Sequence, residues 1–201
     1  MKVIGITGGV GAGKTAVLSY IRENYNCKVV LADEVAHQVK EPGEICYERL
    51  VALLGPEVLA EDGTINKPKM AEMIFSSDAL LEEVNRIIHP AVKESIERTI
   101  SEEKGKNLLD FLFIEAALLI EAGYMEIVDE MWYIYADEAV RRERLKATRG
   151  YSDEKIDSIM EEQLSEAEFK ANCKVVIDNS RSLLEAYEQI DKELGDALWQ
   201  E

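Results

Sequence analysis

The sequence predicts an α/β protein: a five-stranded parallel sheet flanked by helices, with a helical insertion and a further helical excursion set into it. Three observations carry that prediction. Five short apolar runs, at 3–7, 28–31, 112–115, 131–135 and 175–177, are β-branched or aromatic and lack the alternation of half-exposed strands. Such runs belong to strands covered on both faces, and the helical-period segments between them supply the crossovers that a parallel sheet requires. The third observation is Gly8-Gly9-Val10-Gly11-Ala12-Gly13-Lys14-Thr15, placed between the first run and the helical segment 16–21.

That octapeptide satisfies G-x-x-x-x-G-K-[ST] where the pattern has mechanical meaning, in a turn that leaves a strand and opens a helix. Glycines let the backbone aim its N–H groups at an anion, and the helix N-terminus adds partial positive charge. Phosphate cradling therefore falls to Gly8, Gly9, Gly11, Ala12, Gly13, Lys14, Thr15 and Ala16. Lys14 is the residue to reach the outer phosphates, and the Thr15 hydroxyl the one to sit on Mg²⁺.

The first crossover continues through a helix ending near Asn24 into strand 28–31. From Asp33 to about Lys106 the pattern is helical, an insertion placed to overhang the mouth of the site, where an acceptor would bind. Gly55-Pro56 and Asp62-Gly63 mark turns within it. Asp78 is expected to cap a helix with Leu80, Leu81, Val84, Ile87 and Ile88 on one face; His89-Pro90 should break it before Val92, Ile96 and Ile100 resume the period. Residues 139–172 form a second helical excursion, a lid, with Ser152 as N-cap after Gly150-Tyr151. The last helix is expected from about Ser180, with Leu183, Leu184, Tyr187, Ile190 and Leu194 in the core.

Several polar residues stand where chemistry is needed. Asp33 follows the second strand and could accept a hydroxyl proton in phosphoryl transfer to an alcohol, or simply cap the helix that begins there. His89 admits both a substrate contact and the satisfaction of loose backbone groups, whereas His37 reads as a half-exposed helix residue. Glu115 and Glu121 flank the end of the third strand, and either could hold a water of a magnesium shell. Arg141, Arg142, Arg144, Lys146 and Arg149 concentrate positive charge in a chain of net charge −17, as a binder of several phosphates requires; the alternative is an exposed helix face balanced by acids.

Forty acidic against 23 basic residues disfavour nucleic acid as a partner. No apolar run is long enough for a membrane span and no leader precedes the first strand, so a soluble cytoplasmic protein is expected, monomeric or weakly self-associating. Cys27, Cys46 and Cys173 are odd in number and widely spaced, which points to buried thiols and away from disulfides or zinc.

Taken in order, these stretches resemble the dephospho-coenzyme A kinase family. The resemblance runs from Ile4-Gly5-Ile6-Thr7-Gly8-Gly9 through Lys14-Thr15, Ala32-Asp33, Leu54-Gly55, Asp62-Gly63-Thr64-Ile65, Ile74-Phe75 and Ile87-Ile88-His89-Pro90-Ala91-Val92. It continues in Leu118-Leu119-Ile120-Glu121, Arg144-Leu145, Gly150-Tyr151-Ser152, Gln163 and Val176-Ile177-Asp178-Asn179. It implies a P-loop NTPase-type fold and ATP-dependent phosphorylation of the ribose 3′-hydroxyl of dephospho-coenzyme A, with Mg²⁺. It makes Asp33 the general base and places Lys67, His89 and Glu121 near the acceptor. Lys14, Arg144 and Arg149 would spread transition-state charge, Arg141 would contact ATP, and Asn179 would precede the adenine loop. Residues 1–33, 107–139 and 173–201 would form the nucleotide core, 34–106 the acceptor domain and 140–172 the lid. The chain departs from the family pattern at Leu31, where an aspartate is usual, and at Lys67, where an arginine is. It departs again at Ala117 for proline, at Thr148, the slot of a second lid arginine, and at Cys173-Lys174 for Ala-Asp. The acceptor pocket is therefore open to another small or nucleoside-like alcohol, and the weakened lid to a non-catalytic ATP sensor.

Overall fold

The computed structural model describes residues 1–198, so the end of the predicted core segment, 199–201, lies outside the described residues. Strands β1 (Lys2–Thr7), β2 (Cys27–Leu31), β3 (Phe111–Glu115), β4 (Glu130–Tyr135) and β5 (Val175–Asp178) each contain the predicted run, extended by at most a residue at either end. They form one parallel sheet in the order β2-β3-β1-β4-β5. Because β1 is central, its carboxyl end lies where successive strands depart to opposite sides, the crevice in which such sheets bind ligands. In register, Ile6 lies opposite both Glu115 of β3 and Trp132 of β4.

By its packing the chain divides into two compact units, Met1–Val29 with the chain from Lys106 onward, and Val30–Gly105. In the first unit Ile4, Ile6, Leu112, Phe113, Ile114, Trp132 and Ile134 are fully buried, each burial stabilising by about 1.5–3 kcal/mol. Helix α1 (Lys14–Asn24) buries Val17, Leu18 and Ile21, and the last helix, Leu183–Leu198, buries Ala186, Ile190 and Leu194. Two expectations are corrected there: that helix starts at Leu183, and Leu183 and Leu184 are exposed, because its buried stripe is the one that faces α1 and β5. The β5 edge alternates buried and exposed residues, unlike the doubly covered central strands.

Behind the sheet, Tyr20 stacks on Tyr187 with ring centroids 3.9 Å apart, and the Tyr20 and Tyr25 hydroxyls donate to the Asp191 carboxylate at 2.7 and 2.6 Å. At the amino edge, Glu130 accepts from the Trp132 indole at 2.9 Å and from Lys2 and Lys174 at 3.0 Å. Burial alone would raise its pKa, but these donors outweigh it and hold the carboxyl below its ordinary value. Cys46 and Cys173 are buried, Cys27 half-buried, and all are free thiols.

The second unit holds α2 (Ala32–Gln38), α3 (Tyr47–Leu54), α4 (Lys67–Phe75) and α5 (Asp78–Lys106). The expected break at His89-Pro90 does not occur: α5 runs unbroken for 29 residues with Pro90 inside it. An interior proline costs about 3 kcal/mol. Val84, Ile87, Ile88, Ala91, Val92, Ile96 and Ile100 are all buried on one stripe, enough packing to override that cost. Leu81, expected in that stripe, is exposed, and the cap is Ser77, whose hydroxyl accepts from Leu80 N–H, with Asp78 already in the first turn.

Candidate active site

The loop between β1 and α1 turns three carbonyls outward onto side-chain donors. Lys14 Nζ donates to Gly8 O at 2.7 Å, Arg141 Nε to Val10 O at 2.8 Å, and Asn179 Nδ2 and Arg144 to Ala12 O at 2.8 and 3.3 Å. Drawing alternate carbonyls of a tight turn to one side leaves intervening peptide N–H groups facing the other, which is how such a loop presents donors to an anion. Past Gly13, whose carbonyl accepts from the Ala16 and Val17 N–H groups at 3.1 and 3.3 Å, α1 begins at the positive end of its dipole.

Two of the loop glycines meet the side chains that hold the loop. Gly13 has φ +94°, a conformation that L side chains rarely adopt, and a Cβ there would meet the Asn179 amide. A Cβ on Gly9 would lie 2.5–2.8 Å from the Arg141 guanidinium, so the paired glycines make room for an arginine laid across the loop.

Lys14 Nζ also lies 3.7 Å from Glu115 Oε1, a carboxylate brought there by the register of β3 against β1. Thr15 is the second residue of α1 and is exposed. Among the described residues no three His, Cys, Asp or Glu side chains gather to cage a metal. The oxygen donors present, a hydroxyl on Thr15 at the start of α1 and the Glu115 carboxylate beside Lys14, are of the kind that Mg²⁺ takes, since it keeps most of its water and uses only one or two protein ligands.

The cationic cluster divides by helix face. Helix α6 (Glu138–Arg149) turns Arg141 and Arg144 to the loop, and burial pushes the Arg141 pKa down. Arg144 donates in addition to Asn179 O at 2.8 Å. Arg142 and Lys146 instead meet acids: Arg142 binds Glu138 and Asp157 at 2.8 and 2.5 Å, and Lys146 binds Asp153 at 2.6 Å, linking α6 to α7 (Asp153–Glu161). Ser152 caps α7 as expected. Arg149 ends α6, exposed, 5.8 Å from the Tyr151 ring centroid, while the Thr148 hydroxyl donates to Arg144 O within the helix. Asn179 is buried beneath Ala12, with Oδ1 lacking a hydrogen-bond partner. Glu121 is exposed in the turn after β3.

In the second unit Asp33 is an exposed residue in the first turn of α2, whose cap position is Leu31, so Asp33 is not the cap. Burial lowers the His37 pKa, as do the charges of Lys40 and Lys67, against Asp33 and Glu41, which raise it. Lys67 opens α4, and His89 is exposed in mid-α5.

The sequence reading assigned no role to Gln163, whose Oε1 accepts from Val10 N–H at 3.1 Å and from Arg141 at 2.9 Å. Its only signal was its place in the ordered resemblance, since its partners lie up to 153 residues away.

A phosphate loop on the central strand of a parallel five-stranded sheet, with a lysine and two arginines drawn onto it, defines a kinase of the phosphate-loop class. The solved shikimate kinase of Acinetobacter baumannii shares this fold at a TM-score of 0.56 and 11% identity, over 98% of this chain and 94% of that one. The dephospho-CoA kinase of Campylobacter jejuni shares it at a TM-score of 0.74 and 18% identity, over 98% and 97%. The family model CoaE, dephospho-CoA kinase, matches residues 2–185. A dephospho-CoA kinase of Streptococcus agalactiae is 32% identical over 94% of this chain and 95% of its own, and one of Dehalococcoides mccartyi 34% identical over 90% and 89%. The chain belongs to the dephospho-CoA kinase family, whose members transfer a phosphoryl group from ATP, with Mg²⁺, to dephospho-CoA.

Proposed function

We propose that this chain transfers the γ-phosphoryl group of ATP to the ribose 3′-hydroxyl of dephospho-CoA, releasing ADP and coenzyme A. The observation that carries the reading is the loop itself, a cradle whose Gly8, Val10 and Ala12 carbonyls are all held by side chains, in a member of this family.

The loop N–H groups and the α1 terminus bind the phosphates and fix them for in-line attack. Lys14, close to both Gly8 O and Glu115, exchanges part of that contact for the outer phosphate oxygens and stabilises their growing charge. Thr15 would hold Mg²⁺, which would supply positive charge to the phosphates. Asp33 takes the proton of the attacking 3′-hydroxyl; what supports it is a carboxylate two residues past the end of β2 in a parallel sheet. Lys67, His89 and Glu121 orient the acceptor. Arg144 and Arg149 add positive charge from the helical 140–172 segment as a lid over ATP, with the 34–106 helices as the acceptor domain. Asn179 and Arg141 act on the nucleotide through the loop they hold. The enzyme works in the cytoplasm as a monomer or weak homo-oligomer and needs no nucleic acid.

A coupled assay with purified protein, ATP, Mg²⁺ and dephospho-CoA tests the reading. Turnover well above that of Asp33→Asn supports it, and no difference between the two sinks it. Faster turnover of another alcohol would move the activity to that acceptor, the outcome that the Leu31, Lys67 and Ala117 departures make worth measuring.

A further inference from the structure

Val10 is held in the phosphate loop by both halves of its backbone. Its carbonyl accepts from Arg141 Nε at 2.8 Å, its N–H donates to Gln163 Oε1 at 3.1 Å, and the same Oε1 accepts from the Arg141 guanidinium at 2.9 Å. One amide oxygen therefore closes a ring of three hydrogen bonds between the loop, α6 and the segment that follows α7.

We propose that Gln163 is a positioning residue for nucleotide binding: it fixes the phosphate loop by locking the Val10 peptide and aiming Arg141 across Gly9. The inference rests on the nucleotide-binding part of the function proposed above, and not on the identity of the acceptor.

Three features support it. Gln163 consumes the Val10 N–H, so phosphates are left to the other loop amides and to the first turn of α1, and the loop enters binding with that choice already made. Arg141 depends on Gln163 for its aim, because a guanidinium is a planar fork that binds well only when its plane is set. Its plane here lies against Gly9, where a Cβ would stand 2.5–2.8 Å from it. Gln163 itself sits in the turn between α7 and the helix Glu166–Asn172, outside any helix interior, so its substitution leaves regular structure intact.

Two variants separate positioning from mere packing. Gln163→Met keeps size and removes the acceptor, leaving Val10 N–H and one arm of Arg141 unpaired; Gln163→Glu keeps an acceptor for both donors. Calorimetric titration of MgATP without any acceptor should show Gln163→Met weakened about tenfold, the scale of one charge-assisted hydrogen bond lost, and Gln163→Glu within about threefold of wild type. In turnover with dephospho-CoA, Gln163→Met should raise the KM for ATP and leave the KM for the acceptor unchanged. The proposal is overturned if Gln163→Met binds ATP like wild type, or if Gln163→Glu is weakened as much as Gln163→Met. If the wild-type chain binds ATP but turns over no dephospho-CoA, the acceptor assignment fails while the titration still judges Gln163. If it binds no ATP, both fall.

Discussion

Around residues 8–15, Lys14 of the loop itself and three side chains from two distant parts of the chain, Arg141 and Arg144 on α6 and Asn179 after β5, hold three loop carbonyls and leave the helix dipole aimed at the same place. Around Asp33, Lys67 and His89, the side chains proposed for the acceptor are exposed on three different helices. The first arrangement suits a ligand part common to every nucleotide, whose charge demands preorganised donors. The second suits a ligand that brings much of its own contact surface, so that order is supplied when the substrate arrives. Affinity for ATP should accordingly reside in the first set and turnover should require both.

Asp33→Asn is the sharpest way to break that contrast. It should lower kcat by about 10²–10⁴-fold, the range of general-base catalysis, with ATP affinity by titration unchanged; a loss of ATP affinity would show that the two sets are not separable. Lys14→Met should lower kcat by about 10²–10³-fold, as removal of one transition-state donor does, and should weaken ATP as well, seen in the same two measurements. Gly9→Ala places a methyl against the Arg141 guanidinium and should weaken ATP binding about tenfold while leaving the acceptor KM unchanged, since it displaces one charged hydrogen bond to Val10.

The smallest effect tests whether the site is insulated from the far edge of the sheet. Glu130→Gln should destabilise the fold by about 1–3 kcal/mol at neutral pH, measured by urea unfolding, with ATP affinity unchanged. Because the folded Glu130 has a depressed pKa, its contribution is present above the ordinary carboxylate range and is lost as pH falls through the folded value. The wild-type advantage should therefore disappear in acid.

The same contrast governs what could be read from the residues. The five strands were legible because apolar runs bounded by turns are local signals, and the loop was legible because its spacing is its mechanism. Pro90 misled because the rule for proline is local, whereas the stripe of Val84 to Ile100 that keeps α5 whole is a packing effect. Leu183 and Leu184 misled because apolar spacing alone does not say which side of a helix meets the sheet. The residues that hold the loop were not assigned that work, since Asn179 reaches Ala12 across 167 positions and Gln163 reaches Val10 across 153.

The tyrosine brace behind the sheet bears on the acid–base behaviour of the phosphate site. The hydrogen bond to Asp191 pushes the Tyr20 pKa up to about 12, and burial together with Asp191 raises that of Tyr25. Both phenols stay protonated throughout the neutral and mildly alkaline range, so the anchor that joins α1 to the last helix keeps its donors there. The helix presenting Lys14 and Thr15 therefore rests on phenols that do not ionise in that range, so neither Tyr20 nor Tyr25 adds an alkaline step to nucleotide binding there.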